Sequence, residues 1–271
     1  MTQPSDYFLG QSSAEHARLQ FQALELEQRS RQHLERAGIQ PGWRVIDVGC
    51  GPQGVLHVLA DQVGPTGTVV GLERDPRLVA LARVFVSERG FTNVEVIQGD
   101  ARAPGLPRAS FDLVHERLVL VNVPEPQQIL AEMVALARPG GLVVAMEVDD
   151  VSWLCYPAHP AWTRIMEAIQ TVSLRDGQDC FIGRRLVALM RAAGLVEVQQ
   201  EVGVDEWPVG HPRRMQPIQF MENIRERAVA HRFFSDVELM DLLAGLRKHL
   251  EDPETVQLSP VRFRAWGRKP A

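Results

Sequence analysis

The residues best suited to chemistry begin with the run Asp47-Val48-Gly49-Cys50-Gly51-Pro52-Gln53-Gly54, which leaves a strand-like segment and enters a helical one. In an open α/β sheet this is where an anionic or adenine-containing ligand binds. Glycines at 49 and 51 let ligand atoms approach backbone that a Cβ would block, and the start of the helix offers unpaired N–H groups. The spacing Gly49-x-Gly51-x-x-Gly54 also matches a dinucleotide fingerprint, and Glu73, at the end of the next strand-like run, is placed to accept hydrogen bonds from both hydroxyls of a ribose.

Two further features discriminate between ligands. Asp47 puts a carboxylate at a strand end where a dinucleotide enzyme usually has an apolar residue. It would repel a pyrophosphate, whereas it can order the glycine turn and face an ammonium group. Gly99-Asp100-Ala101, after the third strand-like run, supplies a carboxylate and a backbone N–H suited to the amino group and a ring nitrogen of adenine.

Candidates for acid–base work lie downstream. Glu147, Asp149 and Asp150 close the fifth strand-like run, on the edge where acceptors bind in such sheets, and Glu147 is the first candidate for acceptor contact or base. Asp149-Asp150 reads better as a turn or helix cap. His159, in a Pro/Trp-rich stretch, is a second base candidate, while His115, inside a strand, reads as a core histidine. Cys50 has no base beside it, and the chain has no CxxC or HExxH spacing, so no metal site is expected.

The elements that must position these residues follow from periodicity. Residues 12–38 read as a helix, with Ser12 and Glu15 as a capping box and Gly38 at its end. Short apolar runs at 43–48, 67–73, 93–98, 111–116 and 142–148 then alternate with helical stretches. Strands this apolar throughout are buried on both faces, as in a doubly wound α/β sheet. Segments 196–204 and 260–269 read as an antiparallel edge pair, and helical insertions at 149–180 and 206–257 interrupt the rhythm. Their apolar side chains, among them Trp153, Trp162, Met166, Ile169, Ile218, Phe220 and Phe233, suit either a lid over a small acceptor or the core of a helical cap.

Composition removes several alternatives. The 271 residues, 45% apolar and 23% charged, describe an ordinary globular chain. Only Lys248 and Lys269 are lysines, and neither follows a Gly-rich turn, so a P-loop is excluded. Tyr7 and Tyr156 leave no Tyr-x-x-x-Lys pair, which argues against short-chain dehydrogenase chemistry. The net charge of −5 offers nucleic acid no general attraction, and the pairs Arg184-Arg185 and Arg213-Arg214 read as solvated surface. Three scattered cysteines fit a reducing cytoplasm, and no apolar run reaches the length that spans a bilayer.

Together the ordered segments VIDVGCG, VVGLERDP, VIQGDA, FDLVHERLVLVNV and LARPGGLVVAME, covering about residues 41–148, resemble a class I S-adenosylmethionine-dependent methyltransferase, in flavour the group that includes quinone-ring and natural-product enzymes. The resemblance implies one domain over 1–271 with a seven-stranded Rossmann-like sheet, its last strand antiparallel, and helical N-terminal and lid insertions. It implies S-adenosylmethionine as cofactor: Asp47, Gly49, Cys50 and Gly51 around the methionine part, Glu73 and Arg74 at the ribose, Asp100 and Ala101 at adenine, and backbone at Glu116 and Arg117 at the amino-acid end. Where the family's pattern has its third glycine this chain has Gln53, which would lie near the cofactor's edge. The expected activity is methyl transfer to an O, N or C nucleophile of a small, largely apolar molecule in secondary metabolism. The alternatives are an NAD(P)-dependent oxidoreductase and a non-catalytic S-adenosylmethionine-binding module. The N-terminal helix offers a surface for a homo-oligomer.

Overall fold

The computed structural model of the chain describes residues 13–271, so Ser12 of the expected capping box lies outside the described residues. The N-terminal segment is two helices rather than one, α1 (Ser13–Glu25) and α2 (Glu27–Ala37), with the break at buried Leu26. Gly38 ends α2 at φ 93°, returning its N–H to Leu34 and Glu35 carbonyls, a left-handed cap that glycine adopts without a Cβ penalty.

A repeating strand–helix pattern follows: β1 (Arg44–Val48), α3 (Leu56–Val63), β2 (Thr68–Glu73), α4 (Pro76–Glu88), β3 (Val94–Gln98), β4 (Phe111–Arg117), α5 (Pro126–Leu136) and β5 (Ala137–Asp149). Local chemistry fixes the joints. Asp75 caps α4 by accepting from Arg77 N at 2.8 Å, with Pro76 at the first helical position. The residues Arg138-Pro139-Gly140-Gly141, turn formers by type, belong to a longer β5, whose register with β4 shifts between Phe111 and Leu113.

After β5 come β6 (Leu154–Tyr156), α6 (Pro160–Arg175), α7 (Ile182–Ala192), β7 (Val196–Gly203), α8 (Gln216–Asn223), α9 (Arg225–Ala230), α10 (Asp236–Glu251), β8 (Val256–Leu258) and β9 (Val261–Arg268). The main sheet has the order β3-β2-β1-β4-β5-β9-β7, with β9 antiparallel to both neighbours and the other strands running together. Alternate residues of each strand enter opposite cores: Val45, Val69, Leu113 and Val144 face α2, α3 and α4, while Ile46, Val70, Val114 and Val143 face α5 and α7. That period of two with both faces covered is why the strands read as continuously apolar.

The two insertions share a third core. Trp153, Trp162, Ile165 and Ile169 from the first pack with Ile218, Met221, Leu239 and Leu243 from the second, and β6 pairs with β8 across their base. The aromatic and aliphatic stripes are therefore mainly cap interior, with Trp153, Ile169 and Phe220 also reaching the cavity beneath. α2 packs on α3 and β5, and α1 bridges to the cap, so the N-terminal helices cover their own chain.

Candidate active site

A cavity of about 1140 Å³ runs along the C-terminal ends of β1 to β4 and under the cap. It exceeds the roughly 300–1000 Å³ of a typical one-ligand pocket, so two molecules fit side by side. Gly49, Gly51, Glu73, Arg74, Asp100, Ala101 and Arg117, all expected at the cofactor, line its wall.

The glycine turn meets a ligand differently from the expectation. Gly49 N and Cys50 N donate to Leu72 O at 2.8 and 3.1 Å, Gly51 N to Glu73 Oε2 at 3.0 Å, Val55 N to Asp47 Oδ2 at 3.2 Å and Leu56 N to Gln53 O at 3.1 Å. Instead of a row of unpaired N–H groups, the turn presents bare glycine surface. A pyrophosphate, which is held by such donors, is poorly served. Gly51, at φ 59°, would aim a Cβ into open space on the cavity wall, a cradle that any side chain would fill. Gly54, at φ 47°, would drive a Cβ to 2.5 Å from both Asp47 Oδ2 and Cys50 O.

Three expected cofactor residues stand behind the wall. Asp47 is buried and divided between Val55 N and His115 Nδ1, the latter at 2.7 Å, so it orders the turn and the core histidine rather than facing an ammonium group. Cys50 is buried behind the turn, against Gly71, with its thiol pushed up by burial. Glu116 is fully buried. Gln53 is likewise buried, packed away from the cavity it was expected to edge.

Glu73 accepts from three backbone N–H groups, those of Gly51, Arg74 and Asp75 at 3.0, 2.8 and 2.9 Å. Burial raises its pKa and the three donors oppose the rise. A carboxylate has about four acceptor positions, so one remains, on Oε2, for a ribose hydroxyl. Asp100 is tied to Arg102 by a 2.7 Å ion pair, and that bond holds its carboxyl below the usual range.

The acid–base candidates separate sharply. Glu147, first on sequence, has no exposed surface: its Oε1 accepts from Leu120 N at 2.6 Å and Val121 N at 3.3 Å. Glu116 accepts from Val119 N at 3.1 Å beside it. Burial pushes Glu147 well above the usual carboxylate range and Glu116 up to about 7, each acid acting on the other, and Glu116 Oε1 and Glu147 Oε2 are buried without a partner. This pair clamps the segment Leu118–Val123, a stretch of cavity wall within FDLVHERLVLVNV for which the sequence suggested no role. Glu147 therefore supports the wall from behind and touches no acceptor. His159 also lies elsewhere, capping α6 through Ala161 N at 3.2 Å and stacked on His249 in a separate groove.

Asp149 fulfils the capping role, accepting from Val151 N at 3.1 Å and pairing with Arg184. Asp150 does not: it lines the cavity, and burial raises its carboxyl to about 6. Among the described residues no metal-binding group of three or more His, Cys, Asp or Glu converges. Arg184 and Arg185 are half exposed, as read. Arg213 and Arg214 are not surface but buried, at 9% and 2% exposure. Arg214 donates to the carbonyls of Trp207, Leu250 and Thr255 and ties the cap's loops together, while Arg213 lines the cavity. The flanking Trp207 and Met215 were the available hint of burial.

The cradle at Gly51, the free side of Glu73 and the acid with backbone at Asp100-Ala101 fit the sugar and base of an adenosine sulfonium. Comparisons with known proteins agree. A family profile described as "Methyltransferase domain" matches residues 39–182. The demethylmenaquinone methyltransferase of Geobacillus stearothermophilus is 30% identical over 195 residues, which is 66% of this chain and 83% of that protein. The demethylmenaquinone methyltransferase of Anoxybacillus flavithermus is 37% identical over 117 residues, 43% of this chain, and the match spans only about half, 49%, of that relative's length. Among solved structures, phosphoethanolamine N-methyltransferase 2 of Haemonchus contortus, in complex with S-adenosylhomocysteine, shares the fold at TM-score 0.56 and 17% identity, covering 90% of this chain and 53% of that one. No described helix is long and apolar enough to cross a membrane. With the matched profile covering more than half of the chain and the site's residues suited to the same cofactor, this protein belongs to the S-adenosylmethionine-dependent methyltransferase family.

Proposed function

We propose that the chain transfers a methyl group from S-adenosylmethionine to an O, N or C nucleophile of a small organic acceptor of secondary metabolism, enclosed between the sheet edge and the cap. The observation that carries this reading is one cavity lined at one end by Gly51, Glu73 and Asp100 and at the other by Trp153, Ile169 and Phe220. Arg213, Gln216 and Phe220, which line the same cavity, come from the cap segment beyond residue 182, where the matched profile ends.

When bound, S-adenosylmethionine supplies the methyl group on a sulfonium, already electrophilic, so the protein's work is alignment, exclusion of water and proton removal. Glu73 holds the ribose with its unused acceptor position on Oε2, Asp100 and Ala101 the adenine, and Arg117 the amino-acid end. Trp153 and Phe220 shield the acceptor from water. Asp150, with its carboxyl near 6, is ionised at neutral pH and takes the proton of an acceptor O–H or N–H. A nucleophilic ring carbon uses the same base after methylation, when the ring hydrogen leaves as a proton.

Calorimetric titration tests the reading. S-adenosylhomocysteine is expected to bind and NADH not to; binding of NADH alone would overturn it. Glu73→Ala removes the charged acceptor of a ribose hydroxyl, a hydrogen bond worth about 1.5–3 kcal/mol, and lowers cofactor affinity at least about tenfold.

A further inference from the structure

Four arginines line the cavity where α1, β4, β9 and the 3-10 turn Pro212–Met215 meet: Arg18, Arg117, Arg213 and Arg262. Their acids stand behind them. Arg18 pairs with Glu15 at 2.6 Å, Arg213 with Glu25, and Arg262 with Asp205, which also takes Arg29; none of these three carboxylates lines the cavity. Arg117 has no carboxylate at ion-pairing distance among the described residues and donates to Ser30 Oγ at 3.1 Å and Gly54 O at 3.2 Å.

The guanidiniums feel one another. Burial pushes Arg117 down to about 10, with Arg213 adding to the effect, and burial with Arg29 brings Arg262 down to about 10. Burial, then Arg18 and Arg29, lower Arg213 against the pull of Glu25. Asp150 and Glu222 also line the cavity, but neither pairs with any of these four arginines, so the wall of cations keeps its paired counter-charges behind it, and buried ions are costly unless paired. The aromatic wall of Trp153 and Phe220 belongs to the same cavity.

Resting on the methyltransferase reading, we propose that the acceptor carries an oxyanion, a carboxylate or a phosphate, docked on Arg213 and Arg262, while its apolar body lies against Trp153 and Phe220. Arginine forks match such oxyanions through two parallel N–H···O bonds. The cofactor's own carboxylate is the other source of the same chemistry, and Arg117, bonded to the glycine turn through Gly54 O, is the arginine placed to take it.

The test uses the full-length protein saturated with S-adenosylhomocysteine, titrated with a panel of one- to three-ring aromatic carboxylates and their uncharged amides. Carboxylates are expected to bind at least tenfold tighter than the matched amides. Arg213→Gln abolishes that preference and Arg213→Lys restores part of it. Because Arg213→Gln leaves the partly exposed Glu25 without its arginine, the double variant Glu25→Gln with Arg213→Gln is measured alongside and shows the same loss. Carboxylates that bind no tighter than amides, or not at all, overturn the proposal. So does a preference that survives in both variants. In a second arm, S-adenosylhomocysteine is compared with 5′-methylthioadenosine, which lacks the amino-acid end. If Arg213→Gln erases the advantage of the former, the arginines serve the cofactor and acceptor docking fails. If the unmodified protein binds no S-adenosylhomocysteine, the methyltransferase reading itself falls, a result the carboxylate titrations cannot mimic.

Discussion

Around Gly49–Gly54 the polar groups close on one another over short stretches of chain: Val55 N on Asp47, Gly51 N on Glu73, Asp75 N on Glu73. Under the cap the partners come from far apart, with Arg213 reaching Glu25 across 188 positions and Asn223 reaching Glu15 across 208. The sheet end is a series of strand-to-helix turns, each complete within a few residues and its neighbouring strand. The cap end exists only once α1, the Pro212–Met215 turn and β9 have docked. A preformed cradle for an invariant cofactor and an assembled chamber for a particular acceptor are thus made by different means, and stability should be distributed accordingly.

The largest expected effect is in the cap. Trp153 packs against Trp207, Phe220 and Trp162 with ring centroids 5.4, 6.2 and 6.3 Å away, and Trp153→Ala removes the centre of that cluster, a loss of about 3–5 kcal/mol. The cap core is separate from the sheet cores, where Trp43 and Trp266 lie, so with those two replaced by Phe the fluorescence of the cap's Trp162 and Trp207 is expected to change at lower urea than far-ultraviolet circular dichroism. Coincident transitions would make cap and sheet one cooperative unit and break the contrast.

Next is a pair at the sheet end. Gly54→Ala forces a left-handed non-glycine residue and a Cβ 2.5 Å from two oxygens, together about 3 kcal/mol, read as a lower urea midpoint. Gly51→Ala meets open space instead, so its backbone cost is about 1–2 kcal/mol and its main consequence is at least about a tenfold loss of cofactor affinity. Equal losses of stability in the two variants would show that the turn's glycines serve only the fold.

This difference in construction also explains what could be read from the chain alone. The five parallel strands, the turn at Gly49 and the positions of Glu73 and Asp100 follow from alternation and from turn residues, which are local signals. Which face a side chain takes at a strand end is not local. Glu147 and Asp150 lie three residues apart, yet the first turns under Leu118–Val123 and the second into the cavity, because β5 ends there and the chain leaves for the cap. Arg213 and Arg214 look like a solvated pair until three carbonyls from Trp207, Leu250 and Thr255 surround the second. Buried charge satisfied by distant backbone leaves no mark in the neighbouring sequence beyond apolar neighbours such as Trp207 and Met215.

The smallest effect concerns the acids beneath the Leu118–Val123 wall. In the unfolded chain both titrate near the ordinary glutamate value, while in the fold burial holds Glu116 protonated up to about 7 and Glu147 beyond the usual range. The folded state then binds more protons than the unfolded one, so the pair's contribution is fullest at acid pH and declines as pH rises through the folded values. Glu147→Gln keeps the shape, still accepts from Leu120 N and Val121 N, and puts an amide donor in place of the buried Oε2 without a titrating proton. Stability measured from pH 5 to pH 8 should fall less steeply in the variant, by up to about 1.4 kcal/mol per pH unit for one proton fewer. Near pH 5 the two proteins should match within error, and by pH 8 the variant should be the more stable. A variant whose pH slope equals that of the parent would mean that no proton is held between these acids, and the wall would then rest on backbone hydrogen bonds to two carboxylates alone.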